Sequence, residues 1–261
     1  MGKKPRRTPR KPTGKLGSLV LGGGRPAEFQ AVQFPETKPP IERQIFEAAR
    51  KASESAGPNF WDFYGLTKEP SQNPDENGPD YILQTKTGRQ YLDLAEVAPL
   101  DKLGGTYDAL GLSYVNGERA DLVYDEVIAS KDMGYGLNRR DAIHLMLYAT
   151  DFRLSLSPGV LDLLGYRASR EPHGFPSIVY FDLEGRMGKG ELHVIYPRPP
   201  ADFEGFDEAS IRRTQTVFGD LANFRPMPNG MPNAVALKMG FSGTPGEGPI
   251  IIEIDAGQEP D

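Results

Sequence analysis

The strongest constraint on how this chain folds is one stretch of strand-forming residues split by a turn. Asp80-Tyr-Ile-Leu-Gln-Thr85 and Gln90-Tyr-Leu-Asp-Leu-Ala-Glu-Val-Ala98 flank the turn Lys86-Thr-Gly-Arg89. β-Branched and aromatic residues on both sides, Gly88 between them and Pro99 at the end predict a β-hairpin. In its second strand Leu92, Leu94, Glu96 and Ala98 share one face, because strand side chains alternate. A lone carboxylate on an apolar face needs a partner, since burying it uncompensated costs several kcal/mol.

Helix and strand signals alternate around this hairpin. A helix starts near Pro39-Pro40, with Thr37 as its cap, and runs to about Ser55. Ile41, Ile45, Ala48, Ala49 and Ala52 form its apolar stripe, and Glu42 sits beside that stripe. After a Gly-rich loop (100–118), a helix is expected from about Asp121 to Met133. Ala142 to Thr150 is a nearly continuous apolar run, as expected of a strand covered on both faces. A helix from Ser157-Pro158 to about Arg167 and strands at 177–182 and 191–196 follow. Strand, helix, strand in that order implies a crossover. The expected fold class is α/β, a mixed central β-sheet flanked by helices.

Beyond Pro197 a helix is expected from Asp207 to Leu221. A Pro/Asn/Gly segment (225–233), two pairable apolar runs (234–241 and 249–254) and a polar tail follow. Residues 1–30 are rich in Lys, Arg, Pro and Gly and read as a disordered basic tail. Residues 31–200 read as the α/β domain and 201–261 as an extension packed on it, the candidate element for a homodimer.

Composition narrows the chemistry. There is no cysteine, which removes disulfides, thiolate catalysis and Cys-based zinc sites. His144, His173 and His193 are widely separated, so any metal falls to carboxylates, which suit magnesium or manganese. No secretory leader is recognisable and the longest apolar run is too short to span a bilayer, so the expected location is cytoplasmic, without membrane. Seven basic and no acidic side chains lie within residues 1–15; the rest holds 23 basic against 36 acidic residues. A basic tail on an acidic body attracts phosphates; a solubilising or self-docking tail is the plainer reading.

Three acids fall in an order that phosphodiester hydrolysis can use: Glu42 on the first helix, Asp80 opening a strand, Glu96 deep in its partner. Two carboxylates about 4 Å apart repel by about 4 kcal/mol at an effective dielectric near 20. A divalent cation, a shared proton or a basic side chain would relieve that. On spacing alone, an unremarkable turn Asp and strand-end Glu are the commoner explanation.

Pro79-Asp80, the Gly-containing hairpin and Glu96-Val97 resemble the motif of PD-(D/E)XK nucleases. The flanking Glu-bearing helix, the helix Val123–Lys131 and the strand His144–Ala149 are similar in order, over roughly residues 30 to 200. The resemblance implies a restriction-endonuclease-like fold, Mg2+ or Mn2+ held by Glu42, Asp80 and Glu96, and DNA or RNA as partner. The family carries a lysine two residues after the second acid; here Ala98 stands there. Taking Asp93 as the second acid puts Ala95 in that place. Lys131 on the following helix is the first candidate replacement, with catalytic roles for Asp80, Glu96 and Lys131, and Lys102 is the next. The alternative is a catalytically inactive interaction module on the same scaffold, using the basic tail to contact nucleic acid or a protein.

Other features have plainer readings beside functional ones. Gly22-Gly23-Gly24 lacks the rest of a phosphate loop. His144 within an apolar strand reads as a hydrogen-bonded core residue, His173 as a loop residue, and His193 as surface-facing. Phe60, Trp61, Phe63 and Tyr64 suit packing before base stacking. Arg139-Arg140 reads as a solvated pair.

Overall fold

The computed structural model describes residues 13–20, 28–54, 58–75, 78–135, 142–184, 190–218 and 241–243. A six-stranded mixed sheet runs in the order β3 (Ser71–Gln72), β4 (Tyr81–Thr85), β5 (Gly88–Glu96), β7 (Ile143–Tyr148), β8 (Ile178–Asp182), β9 (Glu191–Tyr196). The β4–β5 hairpin is antiparallel, and Thr85 pairs with Gly88, so the turn is only Lys86 and Thr87. Gly88 has φ of 123°, a conformation open to glycine at little steric cost. β5, β7 and β8 are parallel, and β9 returns antiparallel.

Helices cover both faces, which is why every residue of β7 is buried. On one face Leu92, Leu94, Met146, Tyr148 and Phe181 meet Ile41, Ile45, Phe46 and Ala49 of α1 (Lys38–Ser53). On the other, Ala95, Val97, Leu145 and Leu147 meet α3 (Asn116–Val123), the turn after it and α5 (Pro158–Ala168) through Val123, Ile128 and Leu164. Between α3 and α4 (Ser130–Gly134) the helix widens into one π turn, Tyr124–Ala129. The expected helix at 121–133 therefore starts earlier and carries a wide turn that a regular 3.6-residue pattern does not disclose. Wide turns of this kind are often found at functional sites.

Residues expected to be disordered up to position 30 are in part docked. β1 (Gly17–Val20) pairs with β2 (Glu28–Ala31), and Leu16 is buried. The Lys15 backbone N–H donates to Asp151 Oδ2 at 2.9 Å and that of Gly17 to Glu184 Oε1 at 2.6 Å. Gly14 lies against Asp151 so closely that a side chain there would collide with it. Two distant carboxylates capture backbone donors, which local composition cannot disclose.

The expected helix at 207–221 is short: α6 (Glu208–Arg213) starts from Asp207, whose side chain accepts from the Ser210 N–H. The chain then forms β10 (Gln215–Val217), which pairs with β6 (Ser113–Val115) and β11 (Phe241–Gly243). Pairing with β6 overrides the helical pattern. Positions 1–12, Gly22–Gly24, Arg139-Arg140, 225–233, most of 234–241 and 249–261 lie outside the described residues. Among those described, no helix is long and apolar enough to cross a membrane.

Candidate functional site

The short turn fixes which acids meet. Continuing the β4–β5 register one residue beyond the Tyr81–Leu92 pair sets Asp80 beside Asp93. Asp80 Oδ2 accepts from the Leu94 N–H at 2.7 Å, extending the ladder with a side chain. Asp93 is only 2% exposed. Its Oδ2 lies 2.7 Å from Lys131 Nζ, which arrives from α4, and the Tyr135 hydroxyl just beyond α4 donates to the same carboxylate. Buried Glu42 on α1 is paired with Lys38, one turn earlier, at 3.0 Å.

Three carboxylates thus share one region with two ammonium groups. Burial, reinforced by the charges of Glu42 and Asp93, pushes the Asp80 carboxyl up to about 7, against the opposing pull of the Leu94 N–H and Lys38. Burial disfavours the charged form of Lys38, but Glu42, with Asp80 and Asp93 behind it, outweighs this and raises its pKa. Burial and then Asp93 hold the Tyr135 hydroxyl firmly protonated, as a donor.

Glu96 is placed differently from the expectation. It alternates with Leu92 and Leu94 toward the α1 layer, whereas Asp93 alternates with Ala95 and Val97 toward the α3 layer. The acid opposite Asp80 in register is therefore Asp93. Glu96 Oε1 instead accepts from the Tyr107 hydroxyl at 2.7 Å and from the Thr150 hydroxyl. It does line a cleft of about 260 Å³ together with Lys38, Lys131, Tyr148 and Ala98. That cleft lies at the carboxyl ends of parallel β5 and β7, where open α/β sheets commonly bind ligands. Lys102 pairs with Glu126 at 3.3 Å, which leaves Lys131 as the lysine on the acidic pair.

Asp93 is legible as an acid in the sequence, but Ala95 stands two residues on where the motif has lysine, and Lys38 and Tyr135 carry no motif. A two-residue turn would have paired Asp80 with Asp93 directly; reading the turn as four residues hid this. As the side chains lie, no group of three or more His, Asp or Glu among the described residues could hold a metal ion. Carboxylates are the donors that Mg2+ takes, commonly one or two with phosphate oxygens completing its shell, and the Asp80 carboxyl is raised first by burial and then by the charges of Glu42 and Asp93.

The other sequence features are structural. His144 bonds Ser177 Oγ at 2.8 Å and Gln90 Oε1 at 3.0 Å, and burial pulls its pKa down to about 4. His173 lies near the Ala168 carbonyl, and half-buried His193 stacks on Tyr180. Phe60 and Tyr64 of α2 (Phe60–Tyr64) are buried, with Trp61 and Phe63 packed against the same cluster.

Comparison with protein-family models, with curated proteins and with solved structures finds no match to this chain.

Proposed function

We propose that this chain is a nuclease-like protein of restriction-endonuclease-like fold, acting on DNA or RNA through a carboxylate and divalent-metal site. The observation that carries the reading is the meeting of Asp80, Asp93 and Lys131, three groups from a hairpin and the helix after it. The order of elements supports it: a Glu-bearing helix, a hairpin, a crossover helix, then a parallel strand.

In this reading Asp80 and Asp93 would hold Mg2+ or Mn2+, with Glu42 behind them. The ion would polarise a phosphoryl oxygen and lower the pKa of bound water. Lys131 takes the place that the missing strand lysine leaves, and its ammonium stabilises the charge that develops on the phosphate. Tyr135 and the Leu94 N–H keep the two carboxylates in register. Lys38, at the cleft wall, is held by Glu42.

A non-catalytic interaction module is the second reading, favoured by the direct Lys131–Asp93 pair, which already neutralises one acid. Incubation with labelled duplex, single-stranded DNA and RNA, with Mg2+ or Mn2+, separates the two. Cleavage that falls at least 100-fold in both Asp80→Asn and Asp93→Asn supports the nuclease. Cleavage indifferent to both variants sinks it, and binding without cleavage favours the module.

A further inference from the structure

We propose that Lys131 is a displaceable plug: its ammonium fills the cation position on Asp93 and swings into the cleft when a divalent ion takes that carboxylate. The inference rests on the reading of Asp80 and Asp93 as a metal site, and adds how that site is kept closed. Asp93 is 2% exposed, and its Oδ2 is sealed from solvent and accepts no hydrogen bond. Lys131 Nζ lies 2.7 Å from that oxygen but outside hydrogen-bond geometry, so charge holds the two together. A compact cation resting on a carboxylate oxygen is also what a bound metal ion would be.

The lysine is the member of the pair that can leave. Its side chain is 31% exposed, against 3% for the carboxylate, and it lines the cleft. Glu96, Asp101 and Glu126 line the same cleft and offer the ammonium new partners within reach of its flexible stem. Asp93 has no such freedom. It stands within β5, and the N–H of the next residue, Leu94, donates to Asp80 Oδ2 at 2.7 Å.

Charge favours exchange over addition. Glu42, Asp80 and Asp93, against Lys38 and Lys131, leave one negative charge when all are ionised. A divalent ion added with both lysines in place would leave one positive charge, and like charges repel strongly in a buried site. With Lys131 withdrawn, the same ion leaves the region neutral. Lys38 can stay, because it pairs with Glu42 and with neither acid of the register pair. The plugged state also fits the finding that no group of described side chains could hold a metal ion as they lie. Once released, the ammonium faces the cleft, where a phosphate would lie.

Metal affinity, read without substrate, tests the plug. Mn2+ binding to the full chain is measured by calorimetry and by loss of the free-ion paramagnetic signal, in the parent, Lys131→Met and Lys131→Arg. Lys131→Met keeps the apolar stem without the charge and should bind Mn2+ about tenfold more tightly than the parent. Lys131→Arg keeps the charge and should bind as weakly as the parent. Equal affinity in the parent and Lys131→Met overturns the plug, and so does the absence of Mn2+ binding in all three. The parent gives a second reading that depends on no variant folding. Mn2+ should speed acetylation of Lys131 by an amine-reactive ester several-fold, read by peptide mass, while exposed Lys51 reacts as before. Protection of Lys131 by Mn2+, or no change, overturns its displacement. Tighter Mn2+ binding by Lys131→Met in a chain that never cleaves rejects the nuclease alone, and cleavage with equal affinities rejects the plug alone.

Discussion

Lys131 Nζ and Asp93 Oδ2 lie 2.7 Å apart, joining α4 to the middle of β5, with the carboxylate side chain only 3% exposed and the lysine 31%. Removing one member of such a pair leaves the other charge stranded. Lys131→Met should destabilise the fold by about 2 kcal/mol, less than for a fully buried pair because the ammonium is partly solvated. Lys131→Met combined with Asp93→Asn should recover most of that loss in urea unfolding, and on the proposed nuclease reading it should leave cleavage abolished. Recovery of cleavage in the double variant would remove both residues from the chemistry.

Asp80 links protonation to stability. Its folded pKa, about 7, lies above the unfolded value, 3.8, so its contribution is fully present below about pH 4 and is lost as pH rises through 7. Asp80→Asn should therefore be more stable than the parent at pH 7.5, by an amount of the order of 3 kcal/mol, with no gain at pH 3.5. Millimolar Mg2+ should raise the melting temperature of the parent at pH 7.5 and leave Asp80→Asn unmoved. A melting temperature of Asp80→Asn below that of the parent at neutral pH would contradict the charge surplus.

His144 works in the opposite sense. Its folded pKa, about 4, lies below the usual 6.5, so it contributes stability above pH 6.5 that is lost as pH falls toward 4, by about 3 kcal/mol over the window. Between pH 4 and 6.5 Asp80 and His144 therefore offset each other, and the parent should show a nearly level stability profile. In Asp80→Asn the profile should climb with pH across that window. A ring proton resonance of His144 that titrates near 6.5 in the folded protein would refute its neutral, buried state.

Asp93 and Glu96 invite a direct contrast. On the proposed nuclease reading, Glu96→Gln, which keeps an acceptor for Tyr107 and Thr150, should retain cleavage within a few-fold, whereas Asp93→Asn should lose at least 100-fold. Tyr107→Phe should cost about 1 kcal/mol in unfolding, the worth of one buried hydrogen bond, without changing metal dependence. The reverse ranking of the two acid variants would restore Glu96 as the second acid.

The hairpin, α1 and the parallel strands were legible because each carries its own periodicity, and Ile41, Ile45 and Leu92 are buried as their spacing demands. What was not legible depended on contacts distant in sequence or on a count of one or two residues. The turn at Lys86–Thr87 is two residues shorter than its composition suggested, and that shift turns attention from Glu96 to Asp93. The docking of Leu16 needs Asp151 and Glu184, far along the chain. β10 takes its shape from pairing with β6 some 100 positions earlier, which no local pattern encodes.

The π turn at Tyr124–Ala129 amounts to an extra residue threaded into an otherwise ordinary helix. Cutting one residue from it would let the backbone wind as a regular α-helix, and because five regular residues turn through about as great an angle as six in the wide turn, the helix on either side would keep its facing. Lys131 would still meet Asp93 across β5. A single-codon deletion at this spot would thus be absorbed, whereas the same deletion one turn to either side would rotate the lysine off its partner by about 100°.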